Sequence, residues 1–252
     1  MISILRVRPL FLRGRLTIFL IRNSLTAASI LAALGASPTL ADAPKPDSGK
    51  FTLLVQGKSV GTDTFRLLPD GCDADITAVF AGDRTVQFHQ SISFKKGRMA
   101  KFTTDAGSNG TISVTLAGSK SSLRVTDKPE TIQKLPEVVY PYGDRSPHLF
   151  AFLVGAYDIA KSGEQKFDVV FTEAVGPGGV IVIPVTMKAP ESSTKSVAGK
   201  SVDLLRFRFT LNTPKEIISM EIVTDKVRHV LLWNVPSQKY TAVRDGFQEL
   251  AR

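Results

Sequence analysis

The chain has 252 residues, 43% of them hydrophobic and 22% charged, with a formal net charge of +9. A single cysteine excludes an internal disulfide, so the fold has to rest on an ordinary apolar core. Five of the basic residues fall in the first 41 positions, leaving +4 for the remainder; that excess is not gathered into a stripe, and no nucleic-acid partner is expected.

The N-terminal segment carries Arg6, Arg8, Arg13, Arg15 and Arg22, has no acidic residue, and passes into the small-residue apolar run Ser24 to Ala36. This is the layout of a secretory signal. Thr39 and Ala41 supply small residues three and one positions before a cut, so residues 1–41 are expected to be removed after Ala41 and the mature protein to be periplasmic. The competing reading is a retained membrane anchor. The whole apolar stretch approaches the ~20 residues a spanning helix needs, but Arg22 interrupts it. Membrane contact is expected only if the segment is retained. No cysteine follows the apolar run, which argues against a lipoprotein.

Residues 42–50, rich in Pro, Asp and Ser, read as a flexible leader before a single domain over 51–252. From there the pattern is strand-like. Gln56–Gly61 reads as a first hairpin turn, and Lys95–Arg98 as another with solvated charges. Val86, Phe88, Ile92 and Phe94 alternate with Gln87, His89, Ser91 and Ser93, which predicts one buried and one wet face. Cys72, within Asp70–Asp75, is expected in a polar turn. Later, Leu205, Phe207, Phe209 and Leu211 oppose Leu204, Arg206, Arg208 and Thr210 in the same way. Gly176–Gly179 reads as a hairpin turn and Met187–Ser201 as a long exposed loop open to proteolysis.

Between the two halves one segment reads as a helix, over about 147–161. Ser146 suits the N-cap, Pro147 the first helical position, and Lys161, Ser162 and Gly163 the end. Asp144 and Ser146 are therefore expected to accept hydrogen bonds from the free N–H groups at the helix start, not to form a triad with His148. Leu149, Phe150, Phe152, Leu153 and Val154 surround this helix with apolar side chains, which predicts a buried plug. The fold class expected is mainly β: a single curved antiparallel sheet, a β-roll or open barrel, packed around one central α-helix.

Chemistry is hard to find. His89, His148 and His229 are far apart without a metal-ligand spacing, so no metal, no cofactor and no catalytic residue is predicted. Aromatic residues are the remaining candidates. Tyr140 and Tyr142 just before the helix, His148 at its start and Trp233 in a late strand are the expected ligand-binding set.

The stretches Gly49–Leu67, Val138–Phe167 and His229–Phe247 resemble the uncharacterised secreted bacterial proteins known as domain of unknown function 3108. The corresponding residues are Gly57 and Gly61, Tyr157 and Asp158, Trp233, Val235 to Ser237, and Arg244 with Gly246 and Phe247. The resemblance implies an exported curved antiparallel sheet and carries no catalytic residues. The function expected is non-enzymatic binding, in the envelope, of an apolar small molecule or lipid, or of a partner protein's segment. The alternatives are an assembly protein that pairs through its sheet edges, and a hydrolase built from residues of distant strands, such as His89 or His229 with an acid.

Overall fold

The computed structural model describes residues 45–80, 84–176, 179–213 and 216–251. The segment expected to be an export signal, with its cut after Ala41, lies outside the described residues. The first half is a run of antiparallel neighbours: β1 (Asp47–Val55), β2 (Lys58–Leu68), β3 (Gly71–Phe80), β4 (Arg84–Lys95), β5 (Arg98–Asp105), β6 (Thr111–Ala117), β7 (Lys120–Val125) and β8 (Thr131–Lys134). A short strand, β9 (Tyr140–Tyr142), leads to the one α-helix among the described residues, α1 (Phe150–Ala156). The second half comprises β10 (Gln165–Gly176), β11 (Gly179–Met187), β12 (Glu191–Val197), β13 (Lys200–Asn212), β14 (Ile217–Asp225), β15 (Val230–Val235) and β16 (Tyr240–Arg244).

Among the described residues, all sixteen strands join one sheet, in the order β8 back to β1, then β16 to β13, β11, β10 and β9, with β12 paired to β13 alone. Every pairing is antiparallel except that of β9 with β10. The sheet curls, and Gln133 of β8 ties it to β11: its amide donates to Val180 O (3.1 Å) and accepts from Val180 N (2.8 Å). A side-chain amide thus bridges the open barrel in place of a ladder. The expected mainly-β architecture, one curved sheet around a central helix, is the observed one.

Local sequence explains the meander. Gln56 and Gly57 both have positive φ (53° and 77°), the two-residue turn whose twist matches the flanking strands. Gly61 has another role: a Cβ there would run into the Thr77 carbonyl of β3, so only glycine lets the two backbones approach. In β4, Val86, Phe88 and Ile92 are buried while Gln87, His89 and Ser93 are exposed, the expected alternation.

Four expectations are corrected. The stretch taken as leader is already strand from Asp47. Arg244 of β16 holds it there, binding both Asp47 carboxylate oxygens (2.6 and 2.7 Å) and Ser48 O (2.8 Å) while lying over Phe65. Within Met187–Ser201, β12 forms a hairpin with β13; exposure of every β12 side chain except Val197 removes the apolar alternation that marks a strand. Cys72 lies in β3, paired with Ile92, and is 2% exposed. Burial, then the charge of Asp63, drives its thiol well above the usual range, which suits packing and not nucleophilic chemistry. Leu204, assigned to the wet face, is buried in a second small cluster with Val223, Leu231 and Leu232, against which Phe247 and Leu250 pack.

Candidate functional site: a buried polar cluster at the central helix

The segment before α1 does not cap its own helix. The chain enters as a 3-10 turn, Pro147–Leu149, with Ser146 making no side-chain cap. Instead Ser146 Oγ is hydrogen-bonded to Gln90 Oε1 and Glu173 Oε1 (2.8 Å each), and Asp144 accepts from the Tyr142 hydroxyl (2.7 Å). The acceptor at the helix start is Asp63 of β2, which faces His148 Nδ1 (2.7 Å) and His148 N (3.3 Å). The expected roles of Asp144 and Ser146 are corrected accordingly: tertiary partners outcompete the local cap.

The expected single helix over 147–161 is also shorter. It ends at Ala156, Tyr157 turns to extended backbone, and Ile159–Lys161 forms a separate 3-10 turn capped by Asp158. The cause lies outside the segment. Arg228, from the β14–β15 turn, donates to Val154 O, Gly155 O and Tyr157 O (3.1 Å each), and Tyr157 packs edge-on to Phe207. A guanidinium at the carbonyl end also suits the helix dipole.

All six residues from Phe150 to Gly155 are buried. Phe150 touches Trp233 (4.7 Å between ring centroids), Phe209 (5.4 Å) and Tyr142 (5.8 Å), while Phe152 stacks on Phe94 (4.5 Å). Strands from both halves thus hold the plug.

Beneath the helix start, polar side chains fall into two groups. Those around Gln90 are well supplied: its amide donates to Thr104 Oγ1 and Thr172 Oγ1, and Thr172 Oγ1 donates to Tyr142 O. The second group is not. Asp63 Oδ1, His148 Nε2, Trp233 Nε1 and Tyr240 Oη are buried and have no hydrogen-bond partner among the described residues. Such groups are uncommon and costly in a folded interior. Tyr240 packs edge-on to Trp233 (4.9 Å), with the Arg145 guanidinium 5.4 Å from its ring centre.

The charges are tightly packed as well. Burial, followed by the neighbouring Asp144 carboxylate, pushes Glu173 up to about 7, against the pull of Arg145 and Ser146. Burial likewise raises Asp144, which the Tyr142 hydroxyl and Arg145 partly offset. The Tyr142 and Tyr240 hydroxyls are raised, chiefly by burial.

Of the expected ligand-binding set, Tyr142 and Trp233 converge on Phe150, while His148 pairs with Asp63 and stacks on Phe65. Tyr140 does not join them; it is half-buried, edge-on to Phe167. Asp63, Gln90, Arg145, Glu173 and Tyr240 were not expected. Two of them had a readable signal: Asp63 falls in the apolar phase with Phe65 and Leu67, and Gln90 in that of Phe88 and Ile92. A polar residue in a buried phase marks a buried partner.

The other two histidines also have carboxylate neighbours. Exposed His89 lies 3.0 Å from Asp75 and 3.7 Å from Asp73, and His229 lies 2.9 Å from Asp225. None of the three rings is hydrogen-bonded to a hydroxyl or thiol among the described residues. No group of three His, Cys, Asp or Glu side chains is placed to hold a metal ion among them. Fold and site together define a plugged open barrel with an acid–histidine–arginine cluster at the plug's entry.

No family model and no curated protein matches the chain. Among solved structures it is similar to a β-barrel-like protein of domain of unknown function 1849 from Brucella abortus, at 10% identity and a TM-score of 0.49, over 79% of this chain and 94% of that one. That protein carries a different domain of unknown function from the 3108 type.

Proposed function

We propose that the protein is exported to the cell envelope and acts there as a non-enzymatic binding protein. Its guest is an apolar molecule or apolar partner segment with a polar end, held by the aromatic wall that α1 now covers. One observation carries this reading: among the described residues the Trp233 N–H, packed on Phe150, and the Tyr240 hydroxyl, His148 Nε2 and Asp63 Oδ1 have no hydrogen-bond partner while the helix is docked. A guest whose polar end meets these groups removes that cost and covers the wall as the helix does. Export is supported by the Arg-rich N-terminal segment and by the resemblance to secreted proteins of the 3108 type.

Native mass spectrometry with lipid extraction, on protein purified from the envelope of its own host, tests the reading. A co-purifying lipid or other apolar molecule at near-stoichiometric amount is the expected result. A homogeneous, empty protein contradicts it.

A second reading, assembly through a sheet edge, is favoured by β12, which pairs with β13 alone. A photocrosslinker at Thr194, exposed in β12, is expected under that reading to trap a single partner in cells. Absence of any crosslink there counts against it.

A further inference from the structure

Among the described residues no strand pairing joins β8 to β11, and the Gln133 amide stands in for one. It takes both main-chain polar groups of Val180, donating to the carbonyl (3.1 Å) and accepting from the N–H (2.8 Å). That is the exchange a residue of a neighbouring antiparallel strand makes. The fit is close, since a Cβ on Gly179 would collide with Gln133 Oε1.

The rest of that edge of β11 has no described strand beside it. Pairing with β13 begins only at Val185, and further along Lys188 N donates to Arg208 O (2.9 Å). Main-chain polar groups alternate along a strand, so those of Val182 turn to the same side as those of Val180. Pro184, which has no N–H, closes the free stretch. Apolar side chains mark the surface here. Ile132, next to Gln133, is 76% exposed, and Ile217 is 70% exposed where it pairs with Asn212, just past the last β11–β13 pair. On the same face of β8 as Ile132 lies Lys134, directly opposite Lys120 of β7. Such like charges repel, and neither has a carboxylate in ion-pair reach among the described residues.

We propose that the Gly179–Pro184 edge of β11 docks one extended segment of a partner protein. The segment's main chain takes the place of the Gln133 amide, apolar side chains at alternate positions pack on Ile132, and an acidic residue at one end meets Lys120 and Lys134. Gln133 caps the edge until the segment arrives. The edge itself selects a peptide: main-chain groups offered at every second residue are matched by another main chain, and alternate side chains supply selectivity. A second copy of this chain fits less well, because β11 has no acidic residue to offer the lysines and Pro184 withholds a donor. The inference concerns the seam of the barrel and holds whether or not a guest binds under the helix.

The probe is a short fluorescein-labelled peptide of alternating valine and threonine with an aspartate at one end, and its binding is followed by fluorescence anisotropy. Wild type is expected to bind it, and Gln133→Ala several-fold more tightly, because the internal amide no longer competes. A version N-methylated at alternate residues cannot donate to the edge and is expected to bind about tenfold more weakly or worse. Ile132→Asp, at a side chain already exposed, and a lysine-ended peptide are both expected to weaken binding; the first keeps the test decisive even where Gln133→Ala fails to fold. With the peptide bound, amide exchange is expected to slow at Val182. No binding to wild type or Gln133→Ala overturns the proposal, as does equal binding of the N-methylated or lysine-ended peptide, or of the Ile132→Asp variant. Protection at β12 in place of β11 also overturns it. Dimerisation of Gln133→Ala without peptide, seen by light scattering, gives the edge to a second copy and overturns the partner segment.

Discussion

Asp63→Ala is expected to lower stability by about 1–3 kcal/mol for each buried donor it strands. The Asp63 and His148 side chains are both fully buried, so the substitution leaves the imidazole and the His148 N–H without their acceptor. Phe65, stacked on the imidazole at 5.9 Å, gives the ring no alternative acceptor. Asp63→Asn keeps one acceptor oxygen in place and is expected to cost less. Urea unfolding of the two variants against wild type measures the difference. A loss below about 1 kcal/mol for Asp63→Ala, in the range of an exposed pair, sinks the claim that this contact anchors the plug.

Phe150→Ala carries the second large effect. The ring is 1% exposed and touches Tyr142, Phe209 and Trp233, so truncation opens a cavity where β9, β13 and β15 meet the helix. Large aromatic-to-alanine changes in a core cost about 3–5 kcal/mol. At about 2–4 °C per kcal/mol for a domain of this size, the melting temperature falls by roughly 10 °C. Trp233 loses one of its two aromatic neighbours, so its emission is expected to shift to the red in the folded variant. An unchanged emission maximum and melting temperature contradict the packing described for the plug.

What could be read from the sequence follows from where each interaction lies. The β4 alternation is a local property, visible in Val86, Phe88 and Ile92, and the apolar helix announces its burial in the same way. The end of that helix does not. It is set by Arg228 reaching three carbonyls from more than seventy residues away, and by Tyr157 turning toward Phe207. Periodicity cannot register either contact. The Asp63–His148 pair spans 85 residues and is invisible in the same sense. Leu204 reads as solvent-facing because nothing near it in sequence reveals that Phe247 and Leu250 return to cover the outer face.

The residues that carried the family resemblance prove architectural. Gly57 makes a turn, Gly61 lets β2 approach β3, Asp158 caps a 3-10 turn, and Arg244 clamps the N-terminal strand. Trp233 alone among them borders the polar cluster. The cluster's carboxyls and Arg145 come from strands and turns whose meeting depends on the curl of the sheet, and only Asp63 and Gln90, polar in an apolar phase, gave any sign of it.

Amide hydrogen exchange across Phe150–Ala156, measured at pH 6 on the ligand-free protein, tests most directly whether a seven-residue helix is held as a plug. So short a helix has no independent stability in water, so its protection has to come from docking. Exchange as slow as in β15, approaching global unfolding, is the predicted result. Exchange as fast as in the exposed Asp127–Lys128 turn contradicts a docked plug and, with it, the site built around its entry.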